Sequence, residues 1–155
     1  MTPAIDLLVR GGHAHTVHEY SHDRGAASFG EEAAQKLGVD PQQVFKTLVA
    51  SGPDRKLTVG IVPVSARLGL KKLAKAVGAR KLEMANPGDI ERKTGYVLGG
   101  VSPLGQKNRL PTLLDQSAED FSTIFVSAGR RGLEIELAPA LLIELTAGNL
   151  ADIRS

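Results

Sequence analysis

The chain has 155 residues, the size of one compact domain that buries about two-thirds of its unfolded surface without covalent staples. Hydrophobic residues make up 42% and charged residues 23%, the balance of a globular protein. It has no cysteine, which excludes a disulfide framework, a thiolate-held zinc and a cysteine nucleophile, and its formal net charge of +2 permits a nucleic-acid partner without requiring one.

Only 4% of residues are aromatic and none is Trp, which argues against a stacking platform for single-stranded nucleic acid, and no DNA partner is expected. No apolar run approaches the length of a membrane span, and Met1 to Gly12 lacks the pattern of a signal peptide. The expected location is the cytoplasm, with no membrane partner.

Thr2 as cap and Pro3 at the first helical position predict a helix whose shared face is Ile5, Leu8 and Val9, ended by Gly11-Gly12. Thr16 to Tyr20 reads as a short strand and Glu31 to Leu37 as a helix closed by Gly38. Asp40-Pro41 with Gln43 resembles a capping box and predicts a second, brief helix. Thr47 to Ala50 and Leu57 to Val62 are β-branched and apolar, with Ser51-Gly52-Pro53-Asp54 as a turn signal between them, so a hairpin is expected.

Leu68 to Val77 carries apolar residues at Leu70, Leu73, Ala74 and Val77 and puts Lys71, Lys72 and Lys75 outside them, an amphipathic helix stopped by Gly78. Lys81 to Met84 is strand-like, Asn86-Pro87 starts a helix running to about Lys93, and Tyr96-Val97-Leu98 reads as a strand before a glycine-rich loop. Strands follow at Leu110 to Leu114, with Pro111 favouring an edge, at Thr123 to Ser127 and at Leu133 to Leu137; a helix from Pro139 to Thr146 comes last. Strands joined by tight turns and interrupted by short helices predict an α+β fold with a mixed, barrel-like sheet, and the absence of repeats or linkers predicts a single domain over residues 1–155.

Gly99-Gly100-Val101-Ser102-Pro103-Leu104-Gly105 places three glycines in seven residues, so the backbone can approach a ligand and offer its N–H groups to a carbonyl or phosphate; a tight connection between strands is the alternative. It is not a P-loop, because Gln106-Lys107-Asn108 follows Gly105 where lysine and then a hydroxyl are required. Lys46, between Phe45 and the run Thr47 to Ala50, should lay its stem along the core edge and turn its ammonium to a cavity or to water. His13, His15, His18 and His22 crowd one segment, and His13 with His15 would share a face as two metal ligands do. No His-Glu-x-x-His pair or third ligand is evident, so surface histidines are expected, with no metal and no cofactor.

Glu134 and Glu136 alternate on a predicted strand and share a face, as paired acids would, although solvation is their ordinary fate. Arg130-Arg131 and the trio Lys71, Lys72 and Lys75 suit phosphate contacts or a solvated face equally. Ser65, Ser102 and Ser127 are conceivable nucleophiles, but none stands in a Gly-x-Ser-x-Gly elbow. The residues alone leave an α+β domain with a glycine loop, a notable lysine and no self-evident nucleophile.

Phe45-Lys46-Thr47-Leu48 together with the run from Thr94-Gly95-Tyr96 through Gln106-Lys107 resembles the YbaK family of tRNA-editing proteins. Met1-Thr2-Pro3-Ala4, Tyr20 with His22-Asp23, Phe29-Gly30 and Gly132 to Leu137 extend the resemblance over nearly the whole chain. It implies a barrel-centred α+β fold related to the inserted editing domain of bacterial prolyl-tRNA synthetases. The implied activity is deacylation of Cys-tRNA(Pro), with Cys-tRNA(Cys) as a further substrate; a relative editing Ala-tRNA(Pro) is the near alternative.

By the same resemblance Lys46 is the essential lysine, and Gly99, Gly100 and Val101, with Ser102 beside them, bind the aminoacyl carbonyl or the terminal adenosine. Tyr20, Phe29, Thr47, Ser127 and Gly129 match pocket positions, and Glu134 stands where close relatives carry aspartate. The substrate thiol is implied to attack its own ester carbonyl, and the partners implied are the acceptor end of aminoacyl-tRNA and prolyl-tRNA synthetase in a ternary complex. The competing readings are a non-catalytic tRNA- or synthetase-binding module and a histidine–metal hydrolase.

Overall fold

The computed structural model describes residues 1–25 and 29–155, residue 29 as backbone only. Helix α1 (Pro3–Arg10) begins as expected: the Ile5 N–H donates to Thr2 Oγ1 at 3.2 Å, and Asp6 and Arg10 complement the helix dipole at its two ends. Its inward stripe is Ala4 and Leu8, while Val9 is 55% exposed. The small alanine, not the larger valine, faces inward where the helix packs closely on a strand from the chain's second half.

Strand β1 (Thr16–Glu19) and helix α2 (Phe29–Leu37) follow. The expected second helix after Asp40 does not form. One turn closes, with the Gln43 N–H on Asp40 O at 2.9 Å and the Gln42 N–H on Asp40 Oδ1 at 2.8 Å. The chain is then drawn into β-pairing: Val44 bridges Phe125 in parallel, and Gln43 Nε2 donates to Thr123 O. Long-range pairing thus overrides a local capping signal.

The hairpin forms from β2 (Phe45–Ser51) and β3 (Leu57–Pro63), antiparallel, with Lys46 opposite Val62. Helix α3 (Leu70–Val77) buries Leu73 and Ala74, exposes its three lysines and ends at left-handed Gly78. After β4 (Glu83–Met84), Asn86 caps α4 (Pro87–Thr94) by accepting from the Asp89 N–H at 2.8 Å. The remaining elements are β5 (Thr112–Asp115), a 3-10 turn over Gln116–Asp120, β6 (Ile124–Arg130), β7 (Leu133–Leu137), α5 (Pro139–Thr146) and β8 (Asn149–Ala151).

The fold is α+β, but the sheet does not close into a barrel. One sheet has the order β1-β7-β6 and is antiparallel throughout; the other has the order β4-β2-β3-β5-β8, with β3, β5 and β8 running parallel. The Val44–Phe125 bridge links them. Strand β5 lies inside its sheet, correcting the edge position expected from Pro111. That proline precedes the strand, and its carbonyl accepts from the Val59 N–H at 2.8 Å, so its missing N–H costs no ladder bond.

The segment 96–98 is likewise not a strand. Tyr96 is buried and its hydroxyl donates to Leu104 O at 2.7 Å, which pins the chain as an irregular turn and leaves Val97 and Leu98 exposed. The main core joins α1, β2, β3, β6, β7 and α5 around Leu8, Phe45, Ile61, Val126, Ile135 and Leu142. Leu133, Ile135 and Leu137 point to that core, so the alternation of β7 turns Glu134 and Glu136 to its opposite face.

Candidate functional site

A cavity of about 560 Å3 is bounded by both sheets, by α4 and by the glycine loop, a size that suits a small-molecule ligand or the end of a larger one. Seven of the residues that the family resemblance assigns to the site line it: Tyr20, Lys46, Thr47, Gly99, Val101, Ser127 and Glu134. Four do not. The side chain of Phe29 lies outside the described residues, and Gly100, Ser102 and Gly129 stand behind the wall.

Those three build the wall. Ser102 is fully buried, its Oγ accepting from the Leu104 N–H at 3.2 Å. Gly129 has φ +111° at the bulge of β6, where a Cβ would come 2.5 Å from Tyr96 Cε1; Gly100 lies so close that its own Cβ would stand 3.2 Å from Arg130 Cα. Glycine at both positions lets loop and strand backbones touch. The Gly100 N–H is used within the loop by Val97 O at 2.9 Å, whereas those of Gly99 and Val101 donate to no described residue. The loop therefore offers two backbone donors rather than three.

Lys46 is carried on β2, a strand with Phe45 and Val49 fixed in the core, so its stem is held while its ammonium is half-buried. Burial lowers its pKa, the Glu31 carboxylate opposes that, and the Arg67 charge adds to the lowering. Beside it, Thr47 Oγ1 is buried with no hydrogen-bond partner among the described residues.

Glu134 faces Ser127 across β6 and His18 across β1. It is only 6% exposed, accepts no hydrogen bond from a described residue, and burial pushes its pKa up to about 8. Tyr20, whose own pKa is raised by burial and then by the Glu134 charge, stands next to it. The expectation of two solvated acids is therefore overturned: Glu134 is buried in the cavity wall, and Glu136 is held by Thr123 Oγ1 at 2.6 Å and His18 Nε2 at 2.9 Å, which lower its pKa.

No histidine lines the cavity. His15 Nδ1 lies 2.7 Å from His13 O, and His22 Nδ1 2.6 Å from Glu32 Oε1. Among the described residues no three His, Asp or Glu side chains are placed to hold a metal. Ser127 Oγ accepts from the Gly129 N–H at 3.1 Å, and no described side chain is hydrogen-bonded to it as a base.

Met84, Ile90 and Leu98, which line the cavity, were not legible as site residues, and Arg130 and Arg131 read equally well as solvated. Leu98 is more than half exposed and Met84 48% exposed, an apolar lip on the cavity, with exposed Val97 beside Leu98 in the chain. The one sequence signal for it is the apolar pair Val97-Leu98 directly before Gly99-Gly100.

Residues 23–145 match the family model of the aminoacyl-tRNA editing domain. The chain is 46% identical over 123 residues to EbsC of Enterococcus faecalis, a candidate Cys-tRNA(Pro)/Cys-tRNA(Cys) deacylase, covering 79% of this chain and 75% of that protein. It is 36% identical to the proline–tRNA ligase of Thermosipho melanesiensis over half of this chain, which corresponds to 14% of that enzyme. The crystal structure of a candidate trans-editing enzyme for prolyl-tRNA synthetase superposes with a TM-score of 0.85 at 27% identity, over 99% of this chain and 97% of that one. The chain belongs to the aminoacyl-tRNA editing domain family.

Proposed function

We propose that this protein is a trans-acting deacylase that releases cysteine from Cys-tRNA(Pro), and also from Cys-tRNA(Cys), acting as a single domain over residues 1–155 in the cytoplasm. The observation that carries the reading is one cavity that brings a half-buried lysine together with two backbone N–H groups and, among the described residues, shows no partner for those groups and no activated nucleophile. Such a site stabilises an oxyanion without supplying the attacking atom.

In this reading the attacking atom comes from the substrate. The cysteinyl sulfur bonds to its own ester carbonyl carbon, closing a four-membered thiolactone, and the bond to the tRNA 3′ oxygen breaks. The thiol proton ends on that oxygen, and water later opens the released ring. Nucleophile and carbonyl are already joined, so proximity lowers the barrier, while Lys46 and the Gly99 and Val101 N–H groups stabilise the developing negative charge. Tyr20, Thr47, Ser127 and Glu134 form the wall around the aminoacyl group, with Gly100, Ser102 and Gly129 supporting the loop. Phe29 is assigned to the same pocket on the family resemblance.

The choice of cysteine is supported by the name of the Enterococcus relative, and a ternary complex with tRNA and prolyl-tRNA synthetase by the likeness to that enzyme's own segment and to a trans-editing structure. Single-turnover release of amino acid from cysteinyl-, alanyl- and prolyl-tRNA(Pro) tests it. Wild type should release cysteine only, and Lys46→Ala should lose at least about a hundredfold of that rate, the scale of one lost oxyanion donor, while keeping most tRNA binding. Release of alanine would shift the assignment to alanine editing, and no release at all to a binding module.

A further inference from the structure

The charges lining the cavity are graded by depth. Arg130 and Arg131 are exposed, Lys46 is half-buried, and Glu134 is almost completely buried. Glu134 is the one acid in the lining, and no described residue donates a hydrogen bond to it. A carboxyl so enclosed and without a donor among the described residues is costly, and because its oxygens are not among the fully buried unpartnered atoms, a group in the cavity can reach them.

The ligand brings such a group. The aminoacyl end of a tRNA carries its phosphates outside the ester and a single cationic group, the α-amino group, on the carbon next to the ester carbonyl. Phosphates suit the exposed arginines and the ammonium group suits the carboxyl, an orientation that matches the charges of the lining. We infer that Glu134 is the receptor for the unblocked α-ammonium group of the aminoacyl ester, which makes the site selective for free-amine substrates over N-acylated ones.

An N-acyl group removes the cation and leaves the carboxyl without its partner. The amine contact also fixes one end of the aminoacyl group in the cavity that Lys46, Gly99 and Val101 line. This inference rests on the deacylase reading for its ligand class but not on turnover, and the test separates the two.

The probe is 3′-deoxy-3′-(L-alanylamino)adenosine, whose amide link resists cleavage and which has no thiol, compared with its N-acetyl derivative in NMR titrations. Wild type should bind the free-amine probe at least tenfold more tightly. Glu134→Gln, which copies the shape of the neutral acid and so should keep the fold, should bind both probes equally, with acetylated binding unchanged from wild type. Equal binding of the two probes by wild type, a preference that survives in Glu134→Gln, or binding of neither probe would overturn the inference. Hydrolysis of Cys-tRNA(Pro) without amine preference would leave the deacylase reading standing and this one refuted; amine preference without hydrolysis would do the reverse.

Discussion

Replacing Glu134 by glutamine should make the protein more stable at neutral pH, and the size of the gain follows from the burial of the carboxyl. Its pKa is pushed from the ordinary 4.5 up to about 8 in the folded chain. The unfolded chain therefore releases this proton above pH 4.5 while the folded chain holds it to about pH 8, so the unfolded state binds fewer protons in that window. Stability from this group is fully present below pH 4.5 and is lost as pH rises through about 8.

At about 1.4 kcal/mol per pH unit, roughly 3 kcal/mol is gone by pH 7 and under about 1 kcal/mol by pH 5. Glutamine never ionises, so Glu134→Gln should exceed wild type by about 3 kcal/mol at pH 7 and by less than about 1 kcal/mol at pH 5. With a urea m-value of about 2 kcal/mol/M, the midpoints should differ by about 1.5 M at pH 7. His18 on β1, Tyr20 just after it, and Lys46, Arg130 and Arg131 around the cavity remain in both proteins, so the difference between the two curves isolates Glu134. A midpoint difference independent of pH between 5 and 7, or a less stable variant at pH 7, would refute the reasoning. A site that keeps an ionisable group at such a cost is the kind of place where function opposes stability.

Gly105 has φ +68°, and a Cβ there would lie 2.6 Å from the carbonyl carbon of Pro3 and 2.8 Å from Ala4 N, both backbone atoms of the first turn of α1. Gly105→Ala should cost about 2–4 kcal/mol, from left-handed strain and forced displacement together; urea melts showing a loss below 1 kcal/mol by the same scale would contradict the packing described. Asp115 is fully buried and accepts from the Ile153 and Ser117 N–H groups and from no other described donor, while Arg154 Nε forms an ion pair with it, each at 3.1 Å. Asp115→Ala should cost about 3 kcal/mol by stranding these donors, and hydrogen exchange should rise first at residues 151–155; exchange unchanged there would exclude that role for the carboxylate.

The legible parts of this protein are those fixed by nearest neighbours. Caps and periodicity located α1, α3, α4 and α5 to within about two residues, because a helix satisfies its own hydrogen bonds along the chain. The β2–β3 hairpin was legible for a similar reason, since its turn signal joins strands adjacent in sequence. Lys46 stood out by its place at the head of an apolar run, and the glycine loop by its composition. The family resemblance, not spacing, joined them into one site.

What depended on distant partners was misread or unseen. The capping-box signal at Asp40 lost to the pairing of Val44 with Phe125, eighty-one residues away by number, and β8 has only three residues and no reason to be a strand except the edge of β5. Glu134 and Glu136 follow the same alternation in the sequence, yet one is held by Thr123 and His18 near the surface while the other is enclosed by β1, β6 and the cavity wall. Sequence by itself determined which residues could turn to one face; only the tertiary structure decided what covers that face, because burial, and with it the charge state of a carboxyl, is set by segments that the local chain does not contain.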